Sequence, residues 1–163
     1  MRALRFEDVP GILRLVRRAL DHGCRHHYDS SQRDAVYASY ARNLFVEALG
    51  PLETIVAEER GRVVAVAQLD PADDRLRALF VDAGLQLRGV GRALLADIER
   101  RVRARGGTRL HGAMALNAVS FYLQAGFRPC EGVDRLMSAR LVVPILRMEK
   151  QLGVGSPSFV KQL

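Results

Sequence analysis

Apolar and polar positions alternate over Arg2 to Phe6, which predicts a first strand. Asp8 then stands where a helix cap belongs, and Pro10 is tolerated in the first turn that follows. The helix predicted from about Val9 gathers Ile12, Leu13, Val16, Ala19 and Leu20 on one face. A polar stretch from His22 to Ser31 separates it from a second helix. That helix starts after Ser30 or Ser31, runs to about Ala48 and ends at Gly50-Pro51. Thr54 to Glu58 and Arg62 to Leu69 read as two strands joined by a tight turn containing Gly61. Asp70 to Asp74 is a turn, and Leu76 to Val81 the next strand. A helix after Gly89 places Val90, Leu94, Ile98 and Val102 on one stripe, and Gly106-Gly107 stops it. Thr108 to Leu116 is a strand. Ala118 to Ala125 is a short helix stopped by Gly126, and Phe127 to Glu131 and Arg140 to Glu149 are two further strands.

This order is that of a mixed α/β fold, an α+β mixed sheet of about seven strands with four helices. At 163 residues the chain is long enough for one domain with a full core, predicted over residues 1–152. The remainder, 153–163, has few apolar residues and reads as a loose tail. An apolar fraction of 48% argues against general disorder. The longest apolar runs, Val63 to Ala67 and Leu141 to Leu146, are far too short to span a bilayer. Acids at Glu7 and Asp8 stand where a signal peptide needs an apolar block. The two cysteines, Cys24 and Cys130, make no disulfide framework, so free thiols in a reducing cytoplasm are expected. The net charge of +7 comes almost entirely from arginines. They are scattered along the chain and lack interleaved aromatics, so the charge suits solvated helix faces and an anionic cofactor better than nucleic acid.

The stretch Gln86-Leu87-Arg88-Gly89-Val90-Gly91-Arg92-Ala93 joins the strand ending at Val81 to a helix. A chain that turns on two glycines into a helix presents several free N–H groups at the positive end of the helix dipole, a ready anion site. The missing Cβ atoms of Gly89 and Gly91 allow close approach of a phosphate. The dinucleotide fingerprint needs a third Gly or Ala where Leu94 stands. The nucleoside-triphosphate loop needs Gly-Lys-Ser/Thr, and the only lysines, Lys150 and Lys161, lie elsewhere.

What remains, Gln-x-x-Gly-x-Gly before an amphipathic helix, resembles the acetyl-CoA pyrophosphate loop of the GCN5-related N-acetyltransferase (GNAT) superfamily. A second run, Asn117-Ala118-Val119-Ser120-Phe121-Tyr122-Leu123-Gln124-Ala125-Gly126-Phe127, matches the Asn–Ala…Phe-Tyr…Gly-Phe segment that the same superfamily carries after its fifth strand. The chain looks most like small bacterial members, which also carry a segment like His27-Tyr28-Asp29-Ser30-Ser31-Gln32. The resemblance implies strands four and five splayed around acetyl-CoA, with Phe80 and Val81 offering backbone groups to the pantetheine arm. It implies a pyrophosphate held by Gly89, Gly91 and the N–H groups of Arg88, Val90, Gly91, Arg92 and Ala93. Gln86 matches the family pattern and either contacts the cofactor or fixes the loop, while Leu87 departs from the glycine often found there.

Asn117 is a good N-cap for a helix starting at Ala118, and in the family an Asn here also faces the cofactor. Tyr122 is the catalytic candidate, against the alternative of aromatic packing. A phenol protonated at neutral pH can give a proton to the leaving CoA thiolate, help typically worth ~10²–10⁴-fold. No carboxylate stands on the fourth strand, so Asp70, Glu131 and His111 are the base candidates, none singled out. His22, His26 and His27, with Cys24 close by, invite a test for zinc: two of the histidines can share a helix face, but no third ligand is fixed by spacing and Gly23 interrupts the helix, so no metal is expected. The family places the acceptor site between its first two helices, which makes His26, His27 and Tyr28 candidate acceptor contacts. Cys24 and Cys130 fall outside both motifs, which disfavours a covalent acyl-enzyme. The expected function is direct acetyl transfer to an amine, small or peptidic, in a possible homodimer. The alternative is a catalytically silent acetyl-CoA sensor or interaction module. Membrane and nucleic-acid partners are not expected.

Overall fold

The structure is a computed structural model that describes residues 1–47, 52–85, 88–138 and 141–153. Its elements in chain order are β1 (Arg2–Ala3), α1 (Val9–Gly23), α2 (Ser30–Glu47), β2 (Glu53–Glu59), β3 (Arg62–Asp70), β4 (Arg75–Val81), α3 (Val90–Ala104), β5 (Arg109–Ala115), α4 (Val119–Gln124), β6 (Arg128–Ser138) and β7 (Leu141–Gln151). The type and order of the expected elements hold throughout. The strands form one sheet in the order β1-β2-β3-β4-β5-β7-β6. The expected helix end at Gly50-Pro51, the loop residues Gln86 and Leu87, the strand start at Arg140 and most of the tail lie outside the described residues.

Local chemistry moves several boundaries. β1 stops at Ala3 instead of Phe6 because residues 6–8 turn in a 3₁₀ helix. The Asp8 carboxylate drives that turn. It accepts the Arg5 N–H at 2.8 Å and two Arg2 guanidinium bonds at 2.7 and 2.9 Å. Asp8 occupies the cap position of α1 but spends its carboxylate upstream. On α1 it is Leu15, not Leu13, that joins Ile12, Val16 and Leu20 in full burial. Asp29 and Gln32 cap α2 reciprocally, N–H to side chain in both directions, at 2.8 and 3.1 Å.

α1 and α2 cover one face of the sheet, where Ile12, Leu15, Leu20, Tyr40 and Leu44 pack on Val56, Val66 and Val143. α3 and α4 cover the other, where Leu94, Leu95, Ile98 and Tyr122 meet Ile55, Ala67, Leu110 and Met148. Each fully buried aliphatic side chain contributes about 1.5–3 kcal/mol relative to exposure. Between these layers β4 and β5 run parallel but pair only at Arg75↔His111 and Leu76↔Gly112. Beyond those pairs the two strands part, and the open edges they leave position the site.

Candidate functional site

A cleft of about 890 Å³ fills the gap between β4 and β5. β4 forms one wall. Its ladder with β3 is interrupted by a bulge opposite Gln68/Leu69, which changes the strand's register. The Asp82 N–H donates to Val64 O at 2.8 Å. Hydrogen-bonded pairs recur every second residue in an antiparallel ladder, so Val66–Phe80 is such a pair. The Phe80 backbone is therefore committed to β3, and the backbone groups of Leu79 and Val81 face the cleft. This corrects the expectation that Phe80 offers its main chain there. Its ring lines the cleft instead, edge-to-face with Tyr40 at 5.2 Å between centroids.

The start of α3 closes one end, with Gly89, Gly91 and Arg92 on the lining. Gly89 is the N-cap and adopts φ +83°, a left-handed conformation that costs glycine little. The first four N–H groups of a helix have no partner in its own ladder. Here they belong to Gly89, Val90, Gly91 and Arg92. The Ala93 N–H already donates to Gly89 O at 2.9 Å, and the Arg88 N–H points back to Leu85 O at 3.4 Å. These two leave the expected donor set for that reason. A Cβ on Gly91 would stand 3.3 Å from Val81 Cγ2 and 3.6 Å from the Phe121 ring, so glycine also lets α3 pack against β4 and α4. Gln86 lies outside the described residues.

α4 carries Tyr122 on the opposite wall. Its ring is buried edge-to-face between Phe121 and Phe127, at 5.0 and 5.3 Å. Burial pushes the phenol well above the usual tyrosine range, so it stays a protonated donor at neutral pH. Asn117 lies on the lining but does not cap a helix. α4 begins one residue later than expected, at Val119, with Ala118 at its cap position after a 3₁₀ turn over residues 116–118, and has no side-chain cap. The Asn117 carbonyl oxygen instead accepts the Cys24 thiol at 3.3 Å.

The candidate acceptor contacts separate. Tyr28 is buried and lines the cleft. Its hydroxyl donates to Pro144 O at 2.7 Å and accepts the Leu116 N–H at 2.8 Å. His26 and His27 sit on exposed turn residues off the lining, with His26 Nε2 against Arg25 Nε at 3.2 Å. Among the described residues no group of His, Cys, Asp and Glu could hold a metal. The base candidates also lie elsewhere. Asp70 is ion-paired to Arg77 at 2.6 Å, which holds its carboxyl below the usual range. His111 turns to Asp73 O at 3.0 Å. The side chain of Glu131 falls outside the description. Among the described lining residues there is no Asp, Glu or His.

One stretch of lining escaped the sequence reading. Val36, Ser39, Tyr40 and Asn43 of α2 face the cleft. Their i, i+3, i+4, i+7 spacing was the available signal, obscured because polar and apolar residues share that face.

Residues 24–152 match the family model of the acetyltransferase (GNAT) domain. Several solved structures share the fold. A GCN5-related N-acetyltransferase from Rhodopseudomonas palustris is 24% identical with a TM-score of 0.82, covering 92% of this chain and 93% of that one. The paia N-acetyltransferase from Thermoplasma acidophilum, solved in complex with coenzyme A, is 17% identical with a TM-score of 0.74, covering 92% and 96%. A ribosomal-protein-alanine N-acetyltransferase from Brucella melitensis is 21% identical with a TM-score of 0.62, covering 92% and 98%. No curated protein matches the chain.

Proposed function

Because the chain belongs to the GNAT acetyltransferase family, we propose that it is an acetyl-CoA-dependent N-acetyltransferase that passes the acetyl group directly to a primary amine. One observation carries this reading. The parting of β4 and β5 opens a cleft that has at one end helix amides which the helix's own ladder does not use, and Tyr122 on its wall. The groups present suit the cofactor. The N–H groups of Gly89, Val90, Gly91 and Arg92 would hold the diphosphate, aided by the helix dipole. The open backbone edge of Leu79 and Val81 would pair with the amides of the pantetheine arm. Acetyl-CoA supplies the activated acyl thioester.

Tyr122 would donate a hydrogen bond to the thioester sulfur and supply the proton that the departing thiolate takes up. The amine nitrogen would shed its own proton to water, and that proton would restore the phenol, whose anion burial disfavours. The neutral phenol and the apolar wall around it support that role. Both cysteines are free, which suits a reducing cytoplasm, the compartment we assign to the protein.

A catalytically silent acetyl-CoA binder is the second reading. It is favoured by the lack of Asp, Glu and His among the described lining residues. Thiol release from acetyl-CoA across a panel of amines separates the two. The enzyme frees CoA thiol with at least one acceptor, and Tyr122→Phe lowers kcat by roughly 10²–10⁴-fold with little change in cofactor affinity. Tight acetyl-CoA binding with no thiol release from any amine would establish the binder instead.

A further inference from the structure

Cys24 is 5% exposed and sits where α1 ends. Its N–H donates to Leu20 O at 3.1 Å, and its carbonyl accepts the N–H groups of His27 and Tyr28 at 3.0 and 2.9 Å. The backbone around it is therefore fixed on both sides. Its thiol lies 3.3 Å from Asn117 Oδ1, 93 residues away in the chain. Tyr28, on the same turn, accepts the Leu116 N–H at 2.8 Å. One short turn thus grips two consecutive residues of the β5–α4 corner, and Cys24, Tyr28 and Asn117 all lie on the cleft.

We infer that Cys24 is a positioning residue that sets the orientation of the Asn117 amide, turning its NH₂ group into the cleft as a donor to a carbonyl of the pantetheine arm. This rests on the acetyl-CoA reading above. A primary amide has one acceptor end and one donor end. The Cys24 thiol donates to the carbonyl end, at 3.3 Å from Asn117 Oδ1, which leaves the NH₂ end for a ligand. Burial pushes the thiol up to about 11, which keeps the S–H in place through the physiological range. A thiol held protonated is a poor nucleophile, and the bond to Asn117 accounts for its place in the cleft.

The test is calorimetric binding of CoA and of ADP, which carries the diphosphate without the pantetheine arm. Cys24→Ala is expected to weaken CoA roughly three- to ten-fold, the effect of one neutral hydrogen bond, and to leave ADP unchanged. Cys24→Ser restores the donor and brings CoA affinity back toward wild type. Cys24→Val keeps the volume without the donor and should behave as Cys24→Ala, which covers the case in which the smaller variant fails to fold. Asn117→Ala should weaken CoA at least as much, and adding Cys24→Ala to it should cost nothing further. Equal CoA affinity in wild type and the donorless variants would overturn the inference. So would parallel loss of CoA and ADP, or additive losses in the double variant. A wild-type protein that binds neither ligand would instead overturn the acetyl-CoA reading itself.

Discussion

At the scale of single residues, position in the cleft and role in the cleft are different things. Tyr28 has the place of a substrate contact, on the cleft lining, yet its hydroxyl is largely spent on the protein. Its proton goes to Pro144 O and one lone pair to the Leu116 N–H. Gln32 repeats the pattern one helical turn on, donating to Val142 O at 2.9 Å. β5 ends at Ala115, opposite Ile145. Beyond that pair these two side chains satisfy β7 carbonyls that the strand no longer reaches. The segment from His27 to Gln32, which resembles part of the family, therefore works as a clamp on the sheet edge. Tyr28→Phe strands a part-buried N–H and a part-buried C=O, a loss of about 1–3 kcal/mol. Urea unfolding should register that as a lower midpoint at unchanged slope. His26→Ala and His27→Ala, on exposed positions, should stay within about 0.5 kcal/mol of wild type. Equal stability of Tyr28→Phe and wild type would rule the clamp out. None of these bonds was legible in the sequence, because each joins residues about 90 or more positions apart, and only the folded chain brings them together.

At the scale of elements, the decisive feature is where β4 and β5 stop pairing. Leu76↔Gly112 is the last pair before they part. A Cβ on Gly112 would stand 2.5 Å from Leu76 O and 3.0 Å from Met114 Cε. Glycine is thus required for close contact at the base of the cleft. Gly112→Ala must push β4 from β5, at a cost typical of overpacking, about 1–3 kcal/mol. The expected result is a lower Tm together with weaker acetyl-CoA binding, since the cleft walls shift with the strands. A Tm drop with cofactor affinity intact would mean that the strain is absorbed elsewhere. The elements themselves were largely legible. α1 and α3 carry regular apolar stripes, and glycines punctuate most of the turns. The failures have local causes. Asp8 folded the end of the first strand into a turn, and β6 runs on to Ser138 well past the expected Glu131. That β7 inserts between β5 and β6 is a fact of sheet order, and periodicity along one strand carries no information about its neighbours. The bulge that redirects the β4 backbone was hidden for the same reason, since it exists only relative to β3.

At the scale of the whole molecule, two sets of buried groups bound the pH range of stability from opposite sides. Asp8 is held below its ordinary 3.8 chiefly by Arg2, and Asp70 by Arg77. A carboxylate whose folded pKa is depressed contributes stability above its unfolded value, and that contribution is lost as the pH falls below about 4. On the other side, burial raises Cys24 from 9.0 to about 11 and pushes Tyr28 and Tyr122 upward as well. These groups are neutral when protonated, and the fold disfavours their anions. Their contribution is complete below the unfolded values and is lost as the pH climbs, for Cys24 between 9 and 11. The net charge of +7 works the other way at high pH, because deprotonation relieves repulsion. That repulsion is spread over surface arginines and screened within about 10 Å at 0.1 M salt, whereas the buried thiol and phenols are shielded from solvent ions, so the alkaline loss prevails. Tm measured from pH 3 to 11 should hold a plateau between about pH 5 and 8 and fall on both sides. Cys24→Ser removes the lowest of the three alkaline ionisations, so its fall should begin later than that of wild type. A wild-type Tm that stays level to pH 11 would mean that these groups ionise in place, in a cleft far wetter than the packing of Tyr122 between two phenylalanine rings allows.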